Sequence, residues 1–303
     1  MLRSLVLAVA NRRVVRRAVT GGLGRRVALR FVAGESVDDA EVAARSLNEA
    51  GVDVSLDFLG ENIVDVSQAD AAREVYIAAI ERIVDAGLRA NVSIKLTQLG
   101  LDLDTETAIS NAVSIAARAA VAGTSLTLDM EDHRYTDRTI DGCVRAAGEF
   151  PGSVGVALQA HLRRTPADLE RVSAIPVPVR LCKGAYREPH AIALTRRRDV
   201  DCAFAQLATR LMASQAYAMI ATHDERLIEH AARAAARAGR ARDSFEFQML
   251  YGVRRELQRD LVARGFRVRV YVPFGSEWYP YLMRRIAERP ANVRFFAEAM
   301  LRG

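Results

Sequence analysis

Between residues 52 and 275 the chain repeats one pattern eight times: a short β-branched apolar run, then a longer stretch with helical spacing. The runs are VDVSLDFLG (52–60), NVSIKLTQL (91–99), SLTLDME (125–131), SVGVALQAH (153–161), VPVRLCKGA (177–185), AYAMIATHD (216–224), SFEFQML (244–250) and RVRVYVPFG (267–275). Their length and content fit parallel strands buried on both faces. The intervening segments, such as AREVYIAAIERIVDAGL (72–88) and ETAISNAVSIAARAAVAG (106–123), are rich in Ala, Arg, Glu and Leu. Gly87, Gly123 and Gly239 stand where a helix C-cap glycine belongs. Eight such units over about 250 residues predict an α/β fold, a (βα)8 TIM-like barrel. An open, doubly wound sheet is the main rival, but no GxGxxG follows the first run.

No linker or low-complexity stretch interrupts residues 50–303. Two regions are therefore expected: an N-terminal helical extension over 1–36 and a (βα)8 barrel over 37–303. The start, MLRSLVLAVANRRVVRR, is Arg-rich and acid-poor, like a transit peptide. An amphipathic helix that packs on the body or touches a membrane surface is the favoured reading. GES at 34–36 leads into a first helix at about 37–50. No uninterrupted apolar run reaches 18 residues, so no transmembrane helix is expected.

The net charge is +6 and the isoelectric point about 9.5. The basic residues are spread along the whole length and no nucleic-acid-binding signature accompanies them, which argues against a nucleic-acid partner. Cys143, Cys182 and Cys202 form no CxxC pair and suggest a reducing compartment. Only two lysines occur, Lys95 and Lys183, and the other 41 of the 43 basic residues are arginine. Lysine kept at two places in so arginine-biased a chain points to a need for a compact charge on a narrow stem.

In a barrel, function sits at the C-terminal ends of the strands. Seven of the eight expected strands end in polar groups: Lys95; Asp129, Glu131 and Asp132; Gln159 and His161; Arg180, Lys183, Gly184 and Tyr186; Thr222, His223 and Asp224; Glu246 and Gln248; Tyr271. Such residues are costly inside a barrel unless paired or bound to a ligand. Only two of the five histidines, His161 and His223, lie at strand ends, so a metal site is unforced. No Ser or Cys sits in a nucleophile elbow. Lys183 allows a Schiff-base aldolase as an alternative. The adjacent Arg284 and Arg285, with Lys95 at the same mouth, argue instead for a small carboxylate substrate, which arginine binds bidentately.

VRLCKGAYREP (179–189), ATHD (221–224), FEFQMLYG (245–252) and YVPFGSEWYPYLMRRIAERPANV (271–293) resemble the signature segments of proline dehydrogenase. SIKLTQLG (93–100), LDMED (128–132) and LQAHLRRT (158–165) fit the same family in the same order, and RFVAGES (30–36) resembles its N-terminal lead-in. The likeness spans nearly the whole chain and matches the short monofunctional bacterial type.

The resemblance implies a distorted (βα)8 barrel carrying FAD at the strand C-termini. It implies oxidation of L-proline to Δ1-pyrroline-5-carboxylate, with hydride passing from C5 to flavin N5 and electrons passing on to a membrane quinone. By that likeness, Lys95, Arg284 and Arg285 pair with the proline carboxylate. Tyr271, Tyr186 and Leu250 shape the ring pocket, and Asp129 orients polar groups beside it. Gln159, Arg180, Lys183, Gly184, Ala185, Thr222, His223 and Glu288 hold the flavin and its ribityl, phosphate and adenosine parts. Where some members carry an aromatic residue after GAY, this chain has Arg187. The implied location is cytoplasmic, peripheral to the inner face of the cell membrane, with homo-oligomerisation left open. An FAD barrel of the methylenetetrahydrofolate reductase type and a non-enzymatic basic scaffold are the remaining alternatives.

Overall fold

The computed structural model describes residues 28–60 and 63–288, with the backbone alone for 284–288. The expected helix within residues 1–27, and the end of the chain from 289, lie outside the described residues. In chain order the elements are α1 (Val37–Glu49), β1 (Asp53–Phe58), α2 (Val66–Asp85), β2 (Ala90–Ile94), α3 (Thr105–Val121), β3 (Leu126–Leu128), α4 (Thr136–Glu149) and β4 (Val154–Gln159). Then follow α5 (Thr165–Ser173), β5 (Val179–Cys182), α6 (Arg197–Ala213), β6 (Ala218–Ala221), α7 (Glu225–Arg237), β7 (Glu246–Leu250), α8 (Arg255–Ala263), β8 (Arg267–Phe274) and α9 (Trp278–Glu288). Short 3-10 turns occupy Leu96–Leu99 and His133–Tyr135. The eight strands form a closed parallel barrel, with β1 closing on β8 from Asp53↔Arg269 to Phe58↔Phe274.

Local chemistry sets the helix ends. Ser36 accepts from Asp39 N at 3.1 Å while the Asp39 carboxylate accepts from Ser36 N at 3.0 Å, a reciprocal cap that starts α1. Asp65 caps α2 by accepting from Gln68 N, so this helix begins at Val66, ahead of the helical pattern read at 72–88. Gly87, with φ +59°, follows the end of α2 in the left-handed conformation that only glycine adopts at little cost.

The strands are not apolar on both faces, as the sequence pattern suggested. Val54, Leu56, Val92, Ile94, Val179 and Leu181 point outward into one continuous core beneath the helices. The alternate, inward positions are polar: Asp53, Ser55 and Asp57 on β1, Asn91 and Ser93 on β2, Glu246 and Gln248 on β7. At the bottom of the barrel Arg269 Nε donates to Glu246 Oε1 at 2.8 Å, and Arg267 Nη2 donates to Asp53 Oδ2 at 3.1 Å. Buried charge is tolerated here because each group is matched across neighbouring strands.

A second apolar cluster joins Ala28, Phe31 and Val32 to Trp278, Tyr279, Leu282 and Met283. Ala33 N donates to Pro273 O, and Gly275 N to Gly34 O, both at 2.9 Å. These contacts fix where α9 leaves the barrel rim. Among the described residues no helix is long and apolar enough to cross a membrane.

Candidate active site

A cavity of about 960 Å³ opens at the C-terminal ends of the strands. Every strand or the loop after it contributes lining, and Tyr281 of α9 closes one side. The position follows from the fold, because the loops after the strands are the parts of a barrel free to vary.

Arg180 on β5 organises the floor. Its side chain is 6% exposed. Its Nε donates to Gln248 Oε1 at 2.6 Å, and its Nη1 donates to Ser93 Oγ at 2.7 Å and Asp129 Oδ1 at 2.5 Å. The guanidinium also lies 5.4 Å from the Tyr271 ring centre. Asp129 in turn accepts from the Tyr271 hydroxyl at 2.6 Å. Burial, and then the nearby Asp129 carboxylate, push the Tyr271 phenol well above its ordinary value, so it stays a neutral donor.

Lys95 stands beside this group. Its Nζ donates to Asp57 Oδ1 at 2.6 Å and lies 3.8 Å from Asp129 Oδ2. Burial alone would disfavour the ammonium, but the two carboxylates outweigh it and hold the Lys95 pKa well above normal. Lys95 is therefore a fixed cation, with carboxylates on one side and the cavity on the other.

The wall from β5 depends on one glycine. Gly184 has φ +110°, and a Cβ there would fall 1.3 Å from His161 Nδ1. The same Nδ1 donates to Lys183 O at 2.9 Å, which assigns the ring proton to it. His161 Nε2 is buried without a hydrogen-bond partner, and burial pushes the imidazole pKa down, so the ring is neutral. Gln159 bridges the loops, with Nε2 donating to Glu131 O at 2.7 Å and Oε1 accepting from Ala185 N at 3.4 Å.

On the opposite rim, His223 Nε2 accepts from Leu250 N at 2.9 Å. Thr222 Oγ1 accepts from Asp224 N at 3.2 Å. Lys183 Nζ is tied to Asp201 at 2.5 Å and Asp224 at 3.5 Å. It does not stand alone in the apolar surroundings that activate a Schiff-base lysine.

Of the fifteen residues given site roles by family likeness, twelve line this one cavity: Lys95, Asp129, Gln159, Arg180, Lys183, Gly184, Ala185, Tyr186, Thr222, His223, Leu250 and Tyr271. Of the other polar strand ends, Asp224 and Gln248 line it too, whereas Glu131, Asp132, His161 and Glu246 do not. Arg284, Arg285 and Glu288 lie on α9, and their side chains are outside the described residues. Sequence reasoning missed Asp57, the partner of Lys95. Its signal was the alternation of Asp53, Ser55 and Asp57 in a run read as apolar throughout. Among the described residues no group of three His, Cys, Asp or Glu side chains converges as a metal site.

Residues 40–298 match the family model for proline dehydrogenase. The proline dehydrogenase of Deinococcus radiodurans is 39% identical over 307 residues, spanning 100% of this chain and 99% of its own. Proline dehydrogenase 1 of Bacillus subtilis is 35% identical over 302 residues, with both chains fully covered. Among solved structures, proline utilization A (PutA) from Bdellovibrio bacteriovorus, inactivated by N-propargylglycine, superposes with a TM-score of 0.81 at 22% identity. That match takes in 90% of this chain and 34% of the larger protein, and speaks for the fold alone. With close relatives matched end to end, the chain belongs to the proline dehydrogenase family.

Proposed function

We propose that this enzyme, a proline dehydrogenase acting in proline catabolism, binds FAD and L-proline together in the cavity at the strand C-termini. The observation that carries the reading is the floor of that cavity. A fixed cation, Lys95, a neutral phenol, Tyr271, and an aligned carboxylate, Asp129, stand side by side there.

The cavity size supports a second, larger ligand. At about 960 Å³ it lies at the upper end of the roughly 300–1,000 Å³ typical of small-molecule sites, and proline fills only a small part of that. The family is a flavoenzyme family, and the donor set fits a dinucleotide. Lys183, Arg197 and Arg226 supply cations for phosphates. Gly184 and Ala185 bring backbone close to the ligand, while Gln159, Thr222 and His223 offer polar atoms around it. Glu288 on α9 completes the set by family likeness. A flavin bound there would accept hydride from the ring carbon next to the substrate nitrogen.

The protein's part is placement. Lys95, Arg284 and Arg285 hold the substrate carboxylate, and three cations on one anion fix its direction as well as its affinity. Tyr186 and Leu250 bound the ring, and Tyr271 forms the wall beside it. Arg180 acts indirectly by holding Asp129 and Tyr271 in line. Electrons then pass to a membrane quinone from a protein resting at the inner face of the membrane.

Proline-dependent reduction of an artificial electron acceptor by the purified protein tests the reading. Yellow protein with flavin absorbance and proline-dependent turnover is expected. Colourless protein that gains no activity on adding FAD would refute it.

A further inference from the structure

The loop after β5 runs from Lys183 to Arg196 and carries the Gly184–Tyr186 wall. Its ends are well fastened. Lys183 O accepts from His161 N and Nδ1, both at 2.9 Å, and Leu194 N donates to His161 O at 2.8 Å. The middle is different: Tyr186, Arg187, Pro189 and His190 are all exposed. Within that exposed stretch the Glu188 side chain is only 2% exposed.

A carboxylate does not leave water without compensation. Here the compensation comes from a single residue in another loop. Glu188 Oε1 accepts from His133 N at 2.9 Å, and Oε2 pairs with His133 Nδ1 at 2.5 Å. His133 opens the 3-10 turn after β3, four residues beyond Asp129. Asp132 caps that turn by accepting from Arg134 N at 3.0 Å, and Glu131 is anchored by accepting from Thr97 Oγ1 at 2.6 Å. The His133 end is therefore held from both sides, and the bridge ties the exposed middle of the β5 loop to it, beside the bonds that Pro189 O accepts from Ile192 N and Ala193 N and that His190 O accepts from Arg163 Nε.

The two loops joined in this way bear two edges of the cavity: Asp129 with its Tyr271 partner, and Tyr186. We infer that the Glu188–His133 bridge sets the distance between these edges, and so determines which ring size the enzyme accepts. This rests on the reading that the cavity takes proline. Glu188 and His133 are positioning residues: neither lines the cavity. With the bridge cut, the β5 loop relaxes outward, Tyr186 retreats, and a larger ring fits.

The test compares L-proline with L-pipecolate, its six-membered-ring homologue, in the FAD-loaded full chain. Glu188→Ala, His133→Ala, their double variant and His133→Asn are each assayed for kcat and KM. The affinity of a non-reacting five-membered ring carboxylate is read from its effect on flavin absorbance. Each alanine variant is expected to relax the preference for the smaller ring by about tenfold, the low end of what one methylene is worth in a shaped pocket. The change should appear mainly in KM and in the affinity of the non-reacting carboxylate. The double variant should be no worse than either single one, because both remove the same contact. His133→Asn, which keeps a side-chain N–H donor near the place of Nδ1, should retain the native preference.

Folded alanine variants with native ring preference would overturn the inference, whatever happens to their thermal stability, and so would effects that add in the double variant. If the alanine variants do not fold, Glu188→Gln decides, since it keeps an acceptor for His133 N–H but loses the charge. An intermediate preference supports the bridge and a native one overturns it. A wild-type protein that oxidises neither ring would overturn the proposed function and this inference together.

Discussion

Asp57→Asn removes the charge beside Lys95 while keeping the side-chain shape. The pair is short, at 2.6 Å, and Asp57 is 1% exposed. At an effective dielectric constant of about 20 the attraction at that distance is about 6 kcal/mol, and that between Lys95 and Asp129 at 3.8 Å is about 4 kcal/mol. Removing one partner of a buried pair costs about 3–5 kcal/mol net. Because Asp129 still lies 3.8 Å from Lys95 Nζ, the loss should sit near the low end, about 3 kcal/mol. For a chain of this length that lowers Tm by about 6 °C, at about 2 °C per kcal/mol. Thermal unfolding followed by circular dichroism at pH 7, with FAD in excess, measures it. A shift under about 1 °C would mean that the pair is worth no more than an exposed one, and the account of a fixed Lys95 would be wrong.

Three further expectations follow from the site. Gly184→Ala places a methyl group against the His161 ring at a backbone angle few L-residues adopt, so the variant should purify without flavin absorbance; a normal flavin spectrum would refute the tight-wall account. His161 is held neutral by burial, so its stabilising contribution is fully present above about pH 6.5 and is lost as pH falls below that value. Thermal stability should accordingly drop faster between pH 7 and 5 in the wild type than in His161→Gln, and parallel profiles would exclude the effect. Arg284→Lys gives up bidentate geometry while keeping the charge, and should raise the KM for proline about tenfold with flavin content unchanged. An unchanged KM would remove Arg284 from the carboxylate clamp.

The barrel was legible because β-branched runs and helix patterns alternate eight times, a regularity that survives errors at individual boundaries. The boundaries themselves were less clear. β3 spans only Leu126–Leu128; Asp129 N still donates to Ile94 O of β2 at 2.8 Å, and the residues after it are outside the strand although they continue the same run of sequence. Each of the seven polar strand ends supplied at least one cavity-lining residue, since a barrel's geometry converts position along a strand into depth. Glu246, however, opens β7 at the bottom of the barrel, and Glu131, Asp132 and His161 do not line the cavity. Asp57 stayed hidden because its neighbours Leu56 and Phe58 dominate the local hydropathy. Only the inward phase of β1, fixed by pairing Ser55 with Asn91 and Tyr271, separates it from them. The bridge between Glu188 and His133 was also invisible, because 55 residues separate the two in sequence and nothing local links them.

The polar filling of the barrel bears on how the fold can be divided. β1 to β4 supply Asp53, Ser93 and Asp129, while β5 to β8 supply Arg180, Arg267 and Tyr271, and the contacts among these groups cross the midline. Cut between β4 and β5, each half would expose charges of predominantly one sign along its inner face, acidic in the first half and basic in the second. Such fragments are electrostatically complementary as well as complementary in shape. Their reassembly would be favoured at low ionic strength and weakened by salt, unlike that of a half-barrel pair joined through an aliphatic centre.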